Sequence, residues 1–450
     1  LYYQKTELNS VSLWGPQFGD ITSRPLLFDQ PNDDEVTLGS LVVRYDFGAS
    51  ELVSATSYYD RESGVQQDYS SSFFNLGIPG AVVTTSIVAP AKVFSQELRL
   101  ASTGETRWTW LVGAFYSRED YTEEFLFNHS IVGPLFEGAN DYVYETTAAF
   151  GEFSYSLTDK LAITVGGRFT DYSVDTQLDV NGLFASSPSV DRKDGENDFS
   201  PRAAVNYEYG AGSVYVQAAK GFRVGQVNVP IVSLPGEVVP AFFKSDSLWN
   251  FEIGAKTTWL DRRLQVNAAA YFIDWSDLQA TLQSGTGFTY ISNVGSAEIK
   301  GLEIETIALL GSGLTWTTAL SFNDGELSKD VPTVAPEGTR LPGVPDFTFN
   351  TAFQKDFTLG GRPAFARVDY LHYGEYDNGF PTALGGSAKN GDYDKIDLRL
   401  GMSFGSLEVA VFGANLSDER PILFRQSAVG SEEVSTIQPR TFGVSVSYGF

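Results

Sequence analysis

The residues best suited to chemistry are few and scattered. The 450-residue chain has no cysteine, one methionine and two histidines, His129 and His372. A hydrolase needs a nucleophile, a base within hydrogen-bond reach and a group that orients the base. His129 falls in a loop-like stretch and His372 near the top of an alternating run, Tyr370-Leu371-His372-Tyr373, and neither has such partners nearby in sequence. Catalysis is not expected. Lack of cysteine removes a disulfide framework and thiolate metal sites. So few histidines and methionines leave soft-metal or haem ligation without ligands, so no resident metal or cofactor is expected. Asp33, Asp34 and Glu35, with Asp392 and Asp394, offer oxygens for a divalent cation, but Ca²⁺ needs six or more that converge. A solvated acidic loop is the plainer expectation. What the chain does offer is aromatic side chains in long polar stretches: Trp14 and Phe18, Phe73 and Phe74, Phe125 and Phe127, Phe242 and Phe243. Exposed rings stack on catechols, sugar faces or hydrophobic nutrients; the alternative is that they pack together to shape loops.

The elements that must position these rings follow from composition and period. Aromatic residues make up 14% of the chain and charged residues 19%, with 44 glycines and 22 tyrosines. That mixture suits twisted sheet better than packed helices. The formal charge of -25 argues against nucleic acid, which needs a basic face. No run approaches the roughly 20 apolar residues of a membrane helix, yet barrel strands cross membranes without one. Phe442, Val444, Val446, Tyr448 and Phe450 alternate with Thr441, Gly443, Ser445, Ser447 and Gly449. Ile396–Phe404 and Trp249–Trp259 repeat the pattern, which puts apolar residues on one face and small or polar ones on the other.

A soluble sandwich shares that alternation, but two features favour a transmembrane barrel. Trp249 and Trp259 stand ten residues apart on one apolar face, roughly 25 Å along a membrane normal and so the height of a barrel's apolar band. The polar faces carry paired opposite charges (Arg44 with Asp46, Glu97 with Arg99, Arg367 with Asp369, Asp397 with Arg399), which suit a wide wet or plugged lumen. The connections discriminate further. Short turns at 47–50, 102–105, 157–160, 209–212, 260–262, 310–313, 359–362 and 404–406 alternate with long connections. The long ones are expected at 10–36, 63–90, 119–141, 174–197, 224–246, 281–295, 326–345, 375–391 and 418–437. Barrels with short periplasmic turns and long extracellular loops have this asymmetry. The expected fold is all-β: a transmembrane antiparallel up-and-down barrel, one domain over 1–450, with about eighteen strands. Leu1–Asn9 reads as an outward-running strand and not as a signal peptide, so a leader is expected upstream of it.

Several segments resemble the barrel of TonB-dependent receptors. Lys220-Gly221-Phe222-Arg223 looks like that family's strand-to-loop segment. Ile291-Ser292-Asn293-Val294-Gly295 with Lys300-Gly301-Leu302-Glu303-Ile304-Glu305 is similar to a second motif, and Gly413-Ala414-Asn415-Leu416-Ser417-Asp418-Glu419-Arg420 to the penultimate-strand motif. Gln438 through Phe450 resembles the closing strand. The resemblance implies a barrel of about 22 strands around an N-terminal plug, with the plug and about four strands lying before Leu1. It also implies uptake of a scarce extracellular ligand, foremost an iron-siderophore, coupled to an inner-membrane TonB complex through the plug. Implied partners are outer-membrane lipid, the plug, and a barrel-assembly machinery that reads Phe450. By period two, Glu303 and Glu305 point to the lumen, and with Arg168, Arg202 and Arg223 they are expected to face the plug. Gly221 and Gly301 are expected to relieve crowding or permit a strand bend, and Asn415 to cap or anchor the turn into the last loop. The alternatives are a passive diffusion channel and an importer of oligosaccharide or another organic nutrient.

Overall fold

In the computed structural model the described residues form strands and turns, with no α-helix. Described are residues 1–450 other than 9–26, 28–29, 71–75, 105, 186–188, 232, 234, 286–287, 333, 382–387, 429–430 and 450. Trp14, Phe18, Phe73, Phe74 and Phe450 therefore lie outside the described residues.

One large sheet dominates, each strand antiparallel to the next. It begins with β1 (Tyr2–Leu8), β2 (Asn32–Asp46) and β3 (Ser50–Asp68). β4 runs in two collinear pieces, Val83–Val88 and Ala91–Ser102, interrupted at Pro90, which has no N–H to give the ladder. Four long strands follow: β5 (Trp108–His129), β6 (Gly133–Ser156), β7 (Leu161–Asn181) and β8 (Ser189–Tyr209). Next come β9 (Gly212–Arg223), β10 (Asp246–Trp259), β11 (Leu264–Ser276), β12 (Ala297–Gly311) and β13 (Leu314–Leu327). The sheet continues through β14 (Phe347–Leu359), β15 (Arg362–Tyr373), β16 (Tyr393–Phe404), β17 (Leu407–Ala414) and β18 (Thr441–Tyr448). Among the described residues β1 pairs only with β2, and β18 only with β17.

Period two sorts each strand into an outward and an inward face. On β10 the outward face carries Trp249, Phe251, Ile253 and Trp259, all well exposed. Their cross-strand neighbours continue the apolar belt through Phe272, Ala270 and Ala268 to Leu302 and Ile304. Trp108, Phe153 and Tyr155 mark one rim of this belt, and Phe169, Phe199, Trp249 and Phe322 the other. The rims stand eight to ten residues apart along a strand, roughly 20–25 Å when tilted, which matches a membrane's apolar band. The antiparallel register runs continuously along the membrane-crossing part of neighbouring strands such as β10, β11 and β12, pairing backbone groups as a hydrocarbon solvent demands. This is a transmembrane antiparallel β-barrel.

Strands β5 to β8 overshoot that band. They contain 22, 24, 21 and 21 residues, about twice the ~9–11 needed to cross. Beyond the upper rim their outward positions turn polar (Arg118, Asp120, Glu145, Asp171), so the upper halves stand clear of the membrane by roughly 25 Å. The stretches 119–141 and 174–197, expected as long connections, are thus mostly strand. Alternation persists there (Tyr172, Val174, Leu178, Val180), and the sheet follows it past the lipid.

The sheet is strongly curved. Phe136 of β6 and Phe288, between β11 and β12, are five strand spacings apart along the sheet, roughly 24 Å. Their ring centroids nevertheless lie 5.6 Å apart. Loops fold inward over the mouth to make that contact.

Candidate functional site

The upper inward wall of β5–β8 can be read row by row from the register. The lowest row is Ser117, Thr146, Tyr172 and Glu196; above it stand Glu119, Tyr144, Val174 and Asp194. Next come Tyr121, Tyr142, Thr176 and Arg192, then Glu123, Asn140, Leu178 and Val190. Four of the tyrosines form a run of rings. Centroids are 5.6 Å apart for Tyr121 and Tyr142, 5.9 Å for Tyr142 and Tyr144, and 6.2 Å for Tyr144 and Tyr172. Burial, the largest cause, pushes the Tyr142, Tyr144 and Tyr172 hydroxyls well above the usual phenol range, so they stay protonated. The Glu119 and Glu123 carboxyls are likewise pushed up by loss of water.

Two segments roof this wall. The described residues of 224–231 and 235–243 cross it, and the hairpin of Gln279–Gln283 with Thr289–Asn293 lies beside them. Asn228 ties the two together: its amide donates to the Pro240 and Ile291 carbonyls at 2.8 Å each and accepts from the Ile291 N–H at 2.9 Å. Phe125, Phe136, Leu178, Val180 and Ile231 form the buried cluster beneath, with Phe288 and Tyr290 against it. At the foot of the roof the Arg223 guanidinium grips Asp246, which is 2% exposed, and lies 4.9 Å from the Trp275 ring centroid. Asp246 also accepts from the Gln279 N–H at 3.1 Å, and Arg223 donates to the Gln279 carbonyl at 3.1 Å. One carboxylate thereby joins β9, β10 and the hairpin.

The residues singled out from sequence fall into three groups. Of the ring candidates, Phe125 stacks on Phe136 at 4.8 Å and Phe127 packs near Tyr69 at 5.9 Å. Phe243 is 4% exposed, and Phe242 lies under the Arg192 guanidinium at 5.5 Å. These rings build the roof and its supports. The lumen candidates all sit on inward positions. Arg202 reaches Glu152 at 2.7 Å across Gly166, which stands between them in the register. Arg168 lies over the Phe115 and Phe150 rings at 5.2 and 5.5 Å, and Arg223 is the clamp just described. Glu303 and Glu305 are exposed to the lumen beside Ala269 and Asn267.

Other expectations need correction. Glu97 with Arg99 and Arg367 with Asp369 are ion pairs at 3.0 and 2.6 Å. Asp46, the last residue of β2, instead accepts from the Gly48 N–H of the following turn at 2.6 Å. Asp397 takes Lys395 at 2.9 Å and the Asn415 N–H at 2.7 Å, while Arg399 leans to Glu408 at 3.8 Å. Asp33 and Glu35 point away from Asp34, which holds Arg61 at 2.8 Å; among the described residues no group of three acidic or histidine side chains gathers for a metal. His129 is buried, its Nδ1 accepting from the Ile131 and Val132 N–H groups at 3.1 Å. His372 faces outward against Asp394 at 3.0 Å. Asn415 anchors the last loop, donating to the Glu419 and Gln438 carbonyls at 2.9 and 3.0 Å. Sequence reasoning missed Glu119, Glu123, Asn140 and Thr176, which fall in the expected connections 119–141 and 174–197, and gave no role to Tyr142, Tyr144 and Tyr172 just outside them. Their unbroken period two was the available signal.

A curved antiparallel sheet with an apolar belt, an aromatic rim at each edge and overlong strands roofed on one side defines an outer-membrane β-barrel with a vestibule. The chain belongs to the TonB-dependent receptor family: the domain described as TonB dependent receptor-like, beta-barrel matches residues 2–416. It is accordingly a protein of the Gram-negative outer membrane. It is 25% identical over 394 residues to the pesticin receptor of Yersinia enterocolitica, covering 86% of this chain and 55% of that protein. The chain thus spans about half the length of the curated relatives it matches. Its fold is similar to the ferric yersiniabactin uptake receptor FyuA from Yersinia pestis, with TM-score 0.83 and 18% identity, over 100% of this chain and 67% of that one. The siderophore receptor PiuA from Acinetobacter baumannii gives TM-score 0.73 and 15% identity, over 93% and 65%.

Proposed function

We propose that this barrel serves an active importer, not an enzyme, which captures an extracellular iron-siderophore and passes it inward under TonB coupling. The observation that carries the reading is the roofed vestibule, held clear of the membrane above a wide lumen on strands twice the length needed to cross. A pore for passive flow has no need of such a wall. The family and the relatives named for siderophores and their uptake support it.

The sheet's two outer edges, on β1 and β18, are supplied with further strands in this reading, bringing the barrel to about 22 around a plug. Glu303, Glu305 and Arg168 are proposed to meet that plug, together with the half-exposed Arg202 and Glu152 pair. Coupling to TonB runs through the plug, and Phe450 is proposed as the signal for barrel assembly. Ligand contact at Trp14, Phe73 and Phe74 remains part of the proposal, while Phe127, Phe242 and Phe243 contribute by holding the roof.

The test is electrical. The full-length receptor in a planar bilayer is expected to show no steady conductance, because the plug fills the lumen. A stable open channel would favour passive diffusion instead.

A further inference from the structure

The wall beneath the roof carries an imbalance of charge and of hydrogen bonding that its own side chains do not resolve. Four basic groups around it are matched by carboxylates: Arg61 by Asp34, Arg192 by Asp194 at 3.8 Å, Lys220 by Asp198, and Arg223 by Asp246; Arg168, lower on β7, is engaged by the Phe115 and Phe150 rings. Among the described residues Glu119 and Glu123 face no cation, and both are partly stripped of water. Asn140, fully buried, sits between Glu123 and Tyr142 and offers its amide to both, partly offsetting the effect of their burial. The Thr176 hydroxyl, 1% exposed, and the Tyr172 hydroxyl, on a residue 7% exposed, have no hydrogen-bond partner among the described residues. All five lie on the inward face within four adjacent rows.

Desolvated carboxylates, hydroxyl and amide oxygens, and tyrosine ring faces share one preference. Each attracts a positively charged group that donates hydrogen bonds. We infer that Glu119, Glu123, Asn140, Tyr142, Tyr144, Tyr172 and Thr176 form a subsite for the protonated amine of the receptor's ligand. The inference rests on the importer reading and narrows it to cargo bearing an ammonium group. An anionic complex would meet uncompensated carboxylates here, at a cost the aromatic run does not offset.

The test is equilibrium titration of detergent-purified full-length receptor with 1,5-diaminopentane, and with 1,5-pentanediol as the neutral probe of equal length. The diamine is expected to bind at least ten-fold more tightly than the diol. Glu119→Gln and Glu123→Gln singly should each weaken it several-fold, and the double variant at least ten-fold. Glu124→Gln, an outward neighbour on the same strand, should change nothing and controls for net charge. Retained heat-modifiable migration on gels shows that each variant is a folded barrel. Failure of wild type to bind the diamine, equal affinity for diamine and diol, or unaltered binding by the double variant overturns the subsite. Import is read separately: a receptor that binds the diamine but drives no energised uptake contradicts the importer reading alone, and one that imports cargo while ignoring the diamine contradicts only the subsite.

Discussion

Glycines on this barrel make room for rings lying flat against the wall. The Tyr271 ring covers Gly301 and its hydroxyl donates to Asn323 one strand further on. Tyr215 lies over Gly254 and donates to Glu252 at 2.6 Å. Phe365 on Gly401 and Phe412 on Gly443 repeat the arrangement on the same inward face. A side chain at the glycine would drive the ring into the lumen. Gly301→Val should therefore cost about 1–3 kcal/mol by overpacking, read as a lower urea midpoint, while Gly221→Val, with open space around it, should cost much less. Equal midpoints for the two would contradict the crowding argument. The raised carboxyls of Glu119 and Glu123 give a second expectation. Their folded-state affinity for a proton exceeds that of an ordinary carboxyl near 4.5, so the folded wall holds more protons than the unfolded chain just above that pH. Stability of the wall is then greatest at mildly acid pH and declines as pH rises through the raised values. Amide exchange over 138–144, corrected for intrinsic rate, should slow between pH 7 and pH 5, and Glu123→Gln should flatten that response.

At the scale of elements the sheet was largely legible and the vestibule was not. Short turns such as 260–262 and 359–362 stand where their glycines and aspartates put them, because tight reversals need left-handed residues: Asp261 has φ 55° and Gly361 φ 78°. Outward and inward faces followed from period two on β10, β12 and β16. The upper halves of β5–β8 were missed because a run such as Asp171–Val180 is too polar on its outer side to look like a membrane strand. Only the sheet around it shows that the pairing continues. Cross-loop ties such as Asn228 to Ile291 join residues 63 apart in sequence, and no local pattern announces them. The roof they build depends on Asp246. Asp246→Ala should cost about 2 kcal/mol through lost charge-assisted hydrogen bonds. The loss should be local, with faster proteolysis within 279–293 and an unchanged barrel core. Unchanged cleavage would mean the hairpin is held elsewhere.

For the whole molecule, the two faces answer to two solvents. Hydrocarbon selects the belt of Phe251, Ile253, Leu302 and Leu400, and a polar lumen selects the charged ladders inside. The asymmetry between the two ends belongs to the same design: tight turns on one side, tall roofed strands on the other. Under the proposed function, the roofed end is the binding chamber and release of cargo is left to an energised partner. The direct measurement is uptake of a radiolabelled ferric siderophore, identified by growth under iron limitation, in cells carrying the full-length receptor, with and without a protonophore. Uptake that requires both the receptor and the proton-motive force is the predicted result; receptor-dependent uptake that persists undiminished under the protonophore would contradict the account.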